Sequence, residues 1–375
     1  MKVRFNDLTS QWNAIKEDAM SEIEDVFNNS SYILGPYVER FEQSFANFCN
    51  VDYGIGVSSG YDAIKVAARS LDLNADDLNV FMPANTFVAT WLAIKEAYPK
   101  SRIHLIDINE YGMMDLNKLE EKVKLCHGDK LYVPVHMFGQ IGEDVGSLLS
   151  IKGNYGGYIL EDASQSHGAT VEIEGNTYVA GSIGDISAFS CYPGKNLGAA
   201  GDAGVIVTSD KGLAEKCRLY RNYGSQRKFE HEVQGYNHRL DTIQAVVLYH
   251  KLKKLPEWND RRVSIATRVR DELKNENLKY YLSKNEGQVY HVLPLLANNN
   301  RDGVISYLNN KGIDTNMHYR DPIHKLKMYP YKSHTFPITE YACEHILSLP
   351  IHPFLTEAEL EYMIETLNDI NLESL

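Results

Sequence analysis

Apolar residues recur every three or four positions near the start of the chain, at Ile15, Ala19, Met20, Ile23, Val26 and Phe27, and again at Val38, Phe41, Phe45 and Phe48 after Gly35-Pro36. Side chains so spaced share one helical face, and the pattern predicts two amphipathic helices. The period then shortens. Compact apolar runs at Tyr53 to Val57, Asn79 to Met82, Ile103 to Ile106, Leu131 to Val135, Gly157 to Leu160, Ile186 to Phe189 and Gly204 to Thr208 read as strands. Most are separated by helix-like segments such as Ala63 to Leu71, Thr90 to Ala97 and Leu116 to Val123. Strands alternating with helices predict an α/β fold with a large, mostly parallel sheet.

Past Asp241 the pattern becomes a long helix carrying Ile243, Val246, Val247, Leu248 and Leu252, with a stop expected near Pro256. Beyond it, Val289 to Leu295 reads as a strand and Val304 to Leu308 as a helix closed by Gly312. Thr356-Glu357-Ala358-Glu359 is a capping box ahead of Leu360, Met363, Ile364, Leu367 and Ile370, all on one face of a last helix. Two domains are expected, a large one over 1–240 and a smaller α/β one over 241–375. A chain of 375 residues that is 43% hydrophobic can bury cores of that size.

Charge narrows the partners. A formal net charge of −12 opposes nucleic-acid binding, which needs clustered lysine and arginine. No apolar stretch approaches the roughly 20 residues of a membrane span, and Met1 to Asp7 has no apolar signal core. Cys49, Cys126, Cys191, Cys217 and Cys343 are scattered, odd in number and without C-x-x-C spacing, so a reducing, cytoplasmic location is expected and structural zinc is not. No H-E-x-x-H or histidine cluster points to a catalytic metal.

Two strand ends carry the candidate chemistry. Phe189-Ser190-Cys191-Tyr192-Pro193-Gly194-Lys195-Asn196-Leu197-Gly198 presents one lysine on a loop, and Tyr158-Ile159-Leu160-Glu161-Asp162 ends an apolar strand in carboxylates. A P-loop is excluded, because Phe189 stands where its first glycine belongs and Asn196 follows the lysine. A dinucleotide fingerprint is excluded too, since Gly198, Gly201 and Gly204 have the wrong spacing and precede a strand. Lysine and aspartate together suit pyridoxal 5'-phosphate: the amine holds the aldehyde, and the anion keeps the pyridine nitrogen protonated. The pair specifies the cofactor more than the reaction, and leaves a desulfurase or decarboxylase open. Ser59 and Gly60, between a strand and a helix start, would seat a phosphate, with Ser190 adding a hydroxyl. Phe87 is placed to stack on a cofactor ring.

In order along the chain, Ile33-Leu34-Gly35-Pro36, Ser58-Ser59-Gly60, Glu161 to Ala169, Tyr192 to Gly198 and Gly235-Tyr236-Asn237-His238-Arg239-Leu240-Asp241 resemble the motifs of DegT/DnrJ/EryC1 sugar-nucleotide aminotransferases. That family has the fold-type I (aspartate aminotransferase-like) architecture, and the resemblance covers nearly the whole chain. It implies that Lys195 is the Schiff-base lysine, Asp162 bonds the pyridinium nitrogen, Gln165 contacts the ring's phenolic oxygen and Phe87 stacks on the ring. It further implies that Ser59, Gly60 and Ser190 hold the phosphate. Asn237 would reach it from a neighbouring subunit, so a homodimer with interfacial active sites is expected. Pyridoxal 5'-phosphate would alternate with pyridoxamine 5'-phosphate in a ping-pong reaction between L-glutamate and a nucleotide-linked keto-sugar. Members with histidine at the lysine position are sugar dehydratases; here the lysine is present.

Tyr192, three residues before the lysine, together with Thr90-Trp91 and Met317-His318-Tyr319, resembles the branch that aminates C3 of 3-keto-6-deoxyhexoses. The expected substrate is dTDP-linked and the expected product a 3-amino-3,6-dideoxy sugar nucleotide for surface polysaccharide such as O-antigen, or for a glycosylated product. Tyr192, His318 and Tyr319 would line the hexose pocket. The alternatives are C4 amination of a dTDP-, UDP- or GDP-4-keto-6-deoxyhexose and a non-catalytic binding or regulatory role. Lys216, Arg218, Arg221, Arg227 and Lys228 form a local basic excess that either meets the substrate's diphosphate or is a solvated face. Arg239 either anchors its loop or touches substrate.

Overall fold

The computed structural model describes residues 1–227, 229–283, 286–330 and 333–371. The chain opens with α1 (Leu8–Asn13), α2 (Lys16–Asn28) and α3 (Pro36–Phe48), the last entered through Gly35 at φ 89° with Pro36 in its first turn. There follow β1 (Tyr53–Val57), α4 (Gly60–Ser70), β2 (Asn79–Pro83), α5 (Val88–Ala97), β3 (Arg102–Ile106), α6 (Leu116–Val123), β4 (Lys130–Tyr132), α7 (Val145–Tyr155) and β5 (Tyr158–Asp162). A hairpin of β6 (Thr170–Ile173) and β7 (Asn176–Val179) precedes β8 (Ile186–Ser190), β9 (Gly204–Thr208), α8 (Lys211–Arg221) and a second hairpin, β10 (Ser225–Arg227) with β11 (Glu230–His231).

Seven of these strands form one sheet in the order β1-β9-β8-β5-β4-β2-β3. β9 is antiparallel to both neighbours and the other pairs are parallel, as the alternation of elements predicts. Helices cover both faces, so successive residues of one strand enter opposite cores. Phe81, Ile159, Val205 and Val207 join one apolar cluster with Phe41, Phe45 and Leu148, while Val80, Met82, Leu160 and Ile206 join another with Ile64, Ala67 and Ile94.

The chain continues with α9 (Thr242–Leu252), α10 (Leu255–Glu272), β12 (Leu278–Tyr280), β13 (Leu293–Ala297), α11 (Arg301–Asn310), α12 (Pro337–His345), β14 (Ile346–Leu349) and α13 (Glu357–Asn368). β12, β13 and β14 form an antiparallel sheet over a third apolar cluster that includes Ile265, Val269, Leu308 and Met363. Ala245, Leu248, Leu252 and Leu255 still pack with the large sheet's core, so packing passes from one body to the other within α10. The capping box at Thr356 is present in full, and Gly312 lies at φ 82° after α11.

Two local expectations are corrected. The helix stops at Leu252, before Pro256, and Pro256 then occupies the first turn of α10, where a missing N–H costs nothing. The strand expected from Val289 begins only at Leu293; Val289 and His291 instead donate to the carbonyls of Gly139 and Phe138 at 2.8 Å, tying the second body to the first. Among the described residues, no helix is long and apolar enough to cross a membrane.

Candidate active site

Ligands of open α/β sheets bind beyond the carboxyl ends of the strands, and there the structure opens a cavity of about 450 Å³. Lys195 reaches it from the loop joining β8 to β9. That loop is tightly held. Cys191 and Ala203 are joined by a backbone hydrogen bond of 2.8 Å, Asn196 donates to Asn259 Oδ1 at 3.0 Å and to the Val289 carbonyl at 2.8 Å, and Lys251 Nζ donates to the Gly198 carbonyl at 2.8 Å. A side chain at Gly198 would run into the Pro193 carbonyl, so the turn requires glycine there. The Lys195 amine makes no hydrogen bond or ion pair among the described residues. Burial lowers its pKa from 10.5 to about 8, against the opposing pull of Asp162 and Cys191.

Asp162 ends β5 and is 4% exposed. One carboxylate oxygen accepts from Thr90 Oγ1 at 2.7 Å and the other from the Ser164 N–H at 3.2 Å. Both the carboxylate and Thr90 line the cavity with Lys195. Its chain neighbour Glu161 points away and is wholly buried. Glu161 takes hydrogen bonds from His136, Ser187 and the N–H groups of Gly181, Ile183 and Gly184. Burial pushes its pKa up, but hydrogen bonds from His136 and from Gly184 and Gly181 outweigh that and hold it below the ordinary value. The alternation of a strand thus divides the two carboxylates: one faces the cavity and the other pins the turn before β8.

At the opposite end, Ser59 caps α4, accepting from the Asp62 N–H at 3.1 Å and donating to Asp62 Oδ2 at 2.8 Å. Gly60 is the first residue of that helix, and a Cβ there would collide with Ser190, whose Cα and Oγ lie 2.9 Å away. The helix start, Ser59, Gly60 and Ser190 therefore make a close backbone cradle beside unpaired N–H groups.

Phe87 and Tyr319 form one wall, with ring centroids 5.4 Å apart. Gln165 is buried, accepting the Phe138 N–H at 2.7 Å and donating to Tyr319 Oη at 3.1 Å. His318 is hydrogen-bonded to Ser348 Oγ at 2.9 Å, and burial with the nearby Lys195 lowers its pKa to about 4. Tyr192 is exposed at the cavity mouth, where Phe5 and Asn6 also contribute.

The structure thus brings Lys195, Asp162, Ser59, Gly60, Phe87, Gln165, Ser190, Tyr192, His318 and Tyr319 to one cavity. It does not bring Asn237, Arg227 or Arg239 there. Asn237 and Arg227 are exposed, while Arg239 donates to Asn222 Oδ1 at 2.9 Å and lies over the Tyr223 ring, anchoring its own loop. Lys216 pairs with Asp72 at 2.6 Å, Arg221 with buried Glu42, and Arg218 lies over the Tyr53 ring, so these three cations are engaged elsewhere. Lys228 lies outside the described residues. Sequence reasoning passed over Thr90 as the donor to Asp162, and over Arg262 and His291, which also line the cavity. The polar positions 259–262 on a helix signed by Pro256 were the available clue.

Residues 13–368 match the model of the DegT/DnrJ/EryC1/StrS aminotransferase family. The chain belongs to this family. It is 36% identical, over 98% of its length and 99% of the relative's, to the dTDP-3-amino-3,6-dideoxy-alpha-D-galactopyranose transaminase of Aneurinibacillus thermoaerophilus. Its fold superposes on DesV of S. venezuelae, solved in complex with a ketimine intermediate, with a TM-score of 0.91 at 33% identity over 98% of each chain. It also superposes on NtdA of Bacillus subtilis, solved with bound cofactor PMP, with a TM-score of 0.88 at 29% identity over 98% of this chain and 84% of that one. The family member described here is accordingly a sugar-nucleotide aminotransferase of fold-type I, and pyridoxal phosphate is the cofactor this membership implies.

Proposed function

We propose that this aminotransferase moves the amino group of L-glutamate to C3 of a dTDP-linked 3-keto-6-deoxyhexose, using pyridoxal phosphate. One observation carries the reading: a lysine with its pKa lowered to about 8 by burial shares a single cavity with a doubly hydrogen-bonded aspartate and the cradle at the start of α4. These residues fit the cofactor. Ser59, Gly60 and Ser190 would hold its phosphate, Asp162 its ring nitrogen, Gln165 its phenolic oxygen, and Phe87 its ring face. When bound, the group supplies an aldehyde that accepts nitrogen and a ring that takes up the electron pair released at the donor's α-carbon.

The chain does the rest. With a pKa near 8, the Lys195 amine is largely available as a base at mildly alkaline pH, and it carries a proton from the donor's α-carbon. Thr90 and the Ser164 N–H fix the direction of the Asp162 carboxylate, so its charge is set before substrate arrives. Tyr192, His318 and Tyr319 border the space left for the hexose. The likeness to the Aneurinibacillus transaminase favours a dTDP sugar and C3. Exposed Asn237 and Arg227, outside the lining of their own cavity, suit a homodimer in which each subunit completes its neighbour's site. Five free cysteines accord with a cytoplasmic enzyme.

The test is spectroscopic, then preparative. Purified protein should show the visible absorbance of bound cofactor and lose it on addition of L-glutamate. The converted enzyme is then offered dTDP-3-keto- and dTDP-4-keto-6-deoxyglucose. Recovery of the band with the 3-keto sugar supports the reading. Recovery with the 4-keto sugar alone replaces it with C4 amination, and a colourless protein that stays colourless with added cofactor overturns the roles given to Lys195 and Asp162.

A further inference from the structure

A buried guanidinium without a counter-charge stands on the cavity wall. Arg262, on α10, is 2% exposed. Its Nη1 donates to the carbonyls of Tyr290 at 3.3 Å and Ile351 at 3.1 Å, while its Nε has no hydrogen-bond partner among the described residues. No carboxylate pairs with it among those residues. Burial alone lowers its pKa to about 10. A charge taken out of water is costly unless an opposite charge meets it, and two carbonyl dipoles are a small return.

Asp162 and Asp202 line the same cavity, but no carboxylate among the described residues raises the pKa of Arg262 against its burial. His291, His318 and His352 line the same stretch of cavity, and burial holds all three histidines below their ordinary pKa, so near neutral pH they are uncharged. His291 Nδ1 is also without a partner among the described residues. The cavity therefore carries a cation with unused donor capacity beside a neutral imidazole with an unused nitrogen, in the same chamber as Lys195.

We infer that Arg262, with His291 beside it, is the binding site for the α-carboxylate of the amino donor. The inference rests on the aminotransferase reading and names the part of the site that takes the donor. The α-carboxylate is bonded to the carbon that Lys195 deprotonates, so it must lie in the chamber that holds Lys195. A planar carboxylate matches a guanidinium fork. The substrate's diphosphate is a poorer match, being bulky and tied to a nucleoside that must extend out of a cavity of about 450 Å³.

The experiment is absorbance titration of the holoenzyme with two amines, L-glutamate and the aminated dTDP-sugar product, in wild type, Arg262→Lys and Arg262→Gln. The Arg262→Gln variant should need about 10- to 150-fold more L-glutamate for half-conversion, the range of a hydrogen bond to a charged group, while its response to the amino sugar is unchanged. The Arg262→Lys variant should recover part of the loss. Equal weakening toward both amines assigns Arg262 a purely structural role as a clamp on Tyr290 and Ile351; selective weakening toward the amino sugar assigns it to the diphosphate; either result overturns the inference.

Should the variants fail to fold, wild-type enzyme is compared with the α-amide and the γ-amide of L-glutamate. The α-amide must be the weaker donor, and the reverse order overturns the inference. Wild-type enzyme that responds to neither L-glutamate nor the amino sugar refutes the aminotransferase reading itself, and that result needs no variant.

Discussion

Replacing Glu161 by glutamine keeps the shape of the side chain and removes its charge, at a position where five donors converge. The least costly orientation puts the amide NH₂ toward His136, whose ring can switch tautomer and accept. The Gly181 N–H, which shares that oxygen at 3.0 Å, cannot switch and is stranded. A stranded buried donor costs about 1 to 3 kcal/mol. The bonds from Ile183, Gly184 and Ser187 survive but lose their charge assistance, about 1 kcal/mol each. The total is about 4 to 6 kcal/mol, equivalent to a fall in melting temperature of about 5 to 8 °C if the 375 residues unfold as one unit.

Differential scanning calorimetry of Glu161→Gln against wild type is the assay, repeated across acid pH. The folded-state pKa of Glu161 is depressed below its ordinary 4.5, so the carboxylate's contribution is complete above that value and is lost as pH falls through the depressed one. The gap between the two proteins should therefore narrow below pH 4.5. A variant that melts with wild type at pH 7, or a gap that widens with acid, would refute the account of a carboxylate holding the turn at 181–184.

Three further outcomes follow from the site. In Gly60→Ala the new methyl collides with Ser190, so retention of cofactor on dialysis, followed by absorbance, should fall at least about 10-fold while far-UV circular dichroism is unchanged. Lys195→Met should stabilise the cofactor-free protein at pH 7 by at most on the order of 3 kcal/mol, seen as a higher melting temperature, because the native state then no longer holds a buried ammonium. The folded pKa of Lys195 is depressed, so its destabilising effect is full below pH 8 and fades as pH rises toward 10.5, where the two melting curves should converge. Mixing inactive Lys195→Ala and Asn237→Ala dimers should restore about a quarter of wild-type activity if each site draws on two subunits, and no recovery would remove the shared site.

Much of this was legible because strand ends and caps are local. The run ending at Asp162 and the loop carrying Lys195 announce themselves by an apolar stretch that stops at a chemically active residue, and Thr356 shows its helix by a four-residue motif. Arg262 was not legible. Its importance comes from what is missing around it, a carboxylate, and absence of a partner is a property of three-dimensional packing. Thr90 was hidden for a related reason: its bond to Asp162 joins α5 to β5 across 72 positions. The apolar run from Val289 misled because burial against Phe138 and Gly139 produces the same composition as a strand, without a ladder.

The pairing of β8 with β9 from Ser187 and Val207 to Ser190 and Gly204 anchors both ends of the lysine loop in the central sheet. The cavity's other side comes from separate places: Phe5 and Asn6 at the start of the chain, His291 before β13, His318 and Tyr319 on a loop, and His352 after β14. A redesign for a different keto-sugar can therefore treat the molecule as a fixed bench beneath an exchangeable cover. Loops such as 316–320 could be transplanted from one aminotransferase to another while the lysine loop keeps its alignment, because none of that loop's hydrogen bonds to Asn259, Lys251 or Ala203 passes through them, provided that tyrosine is kept at 319 to receive Gln165.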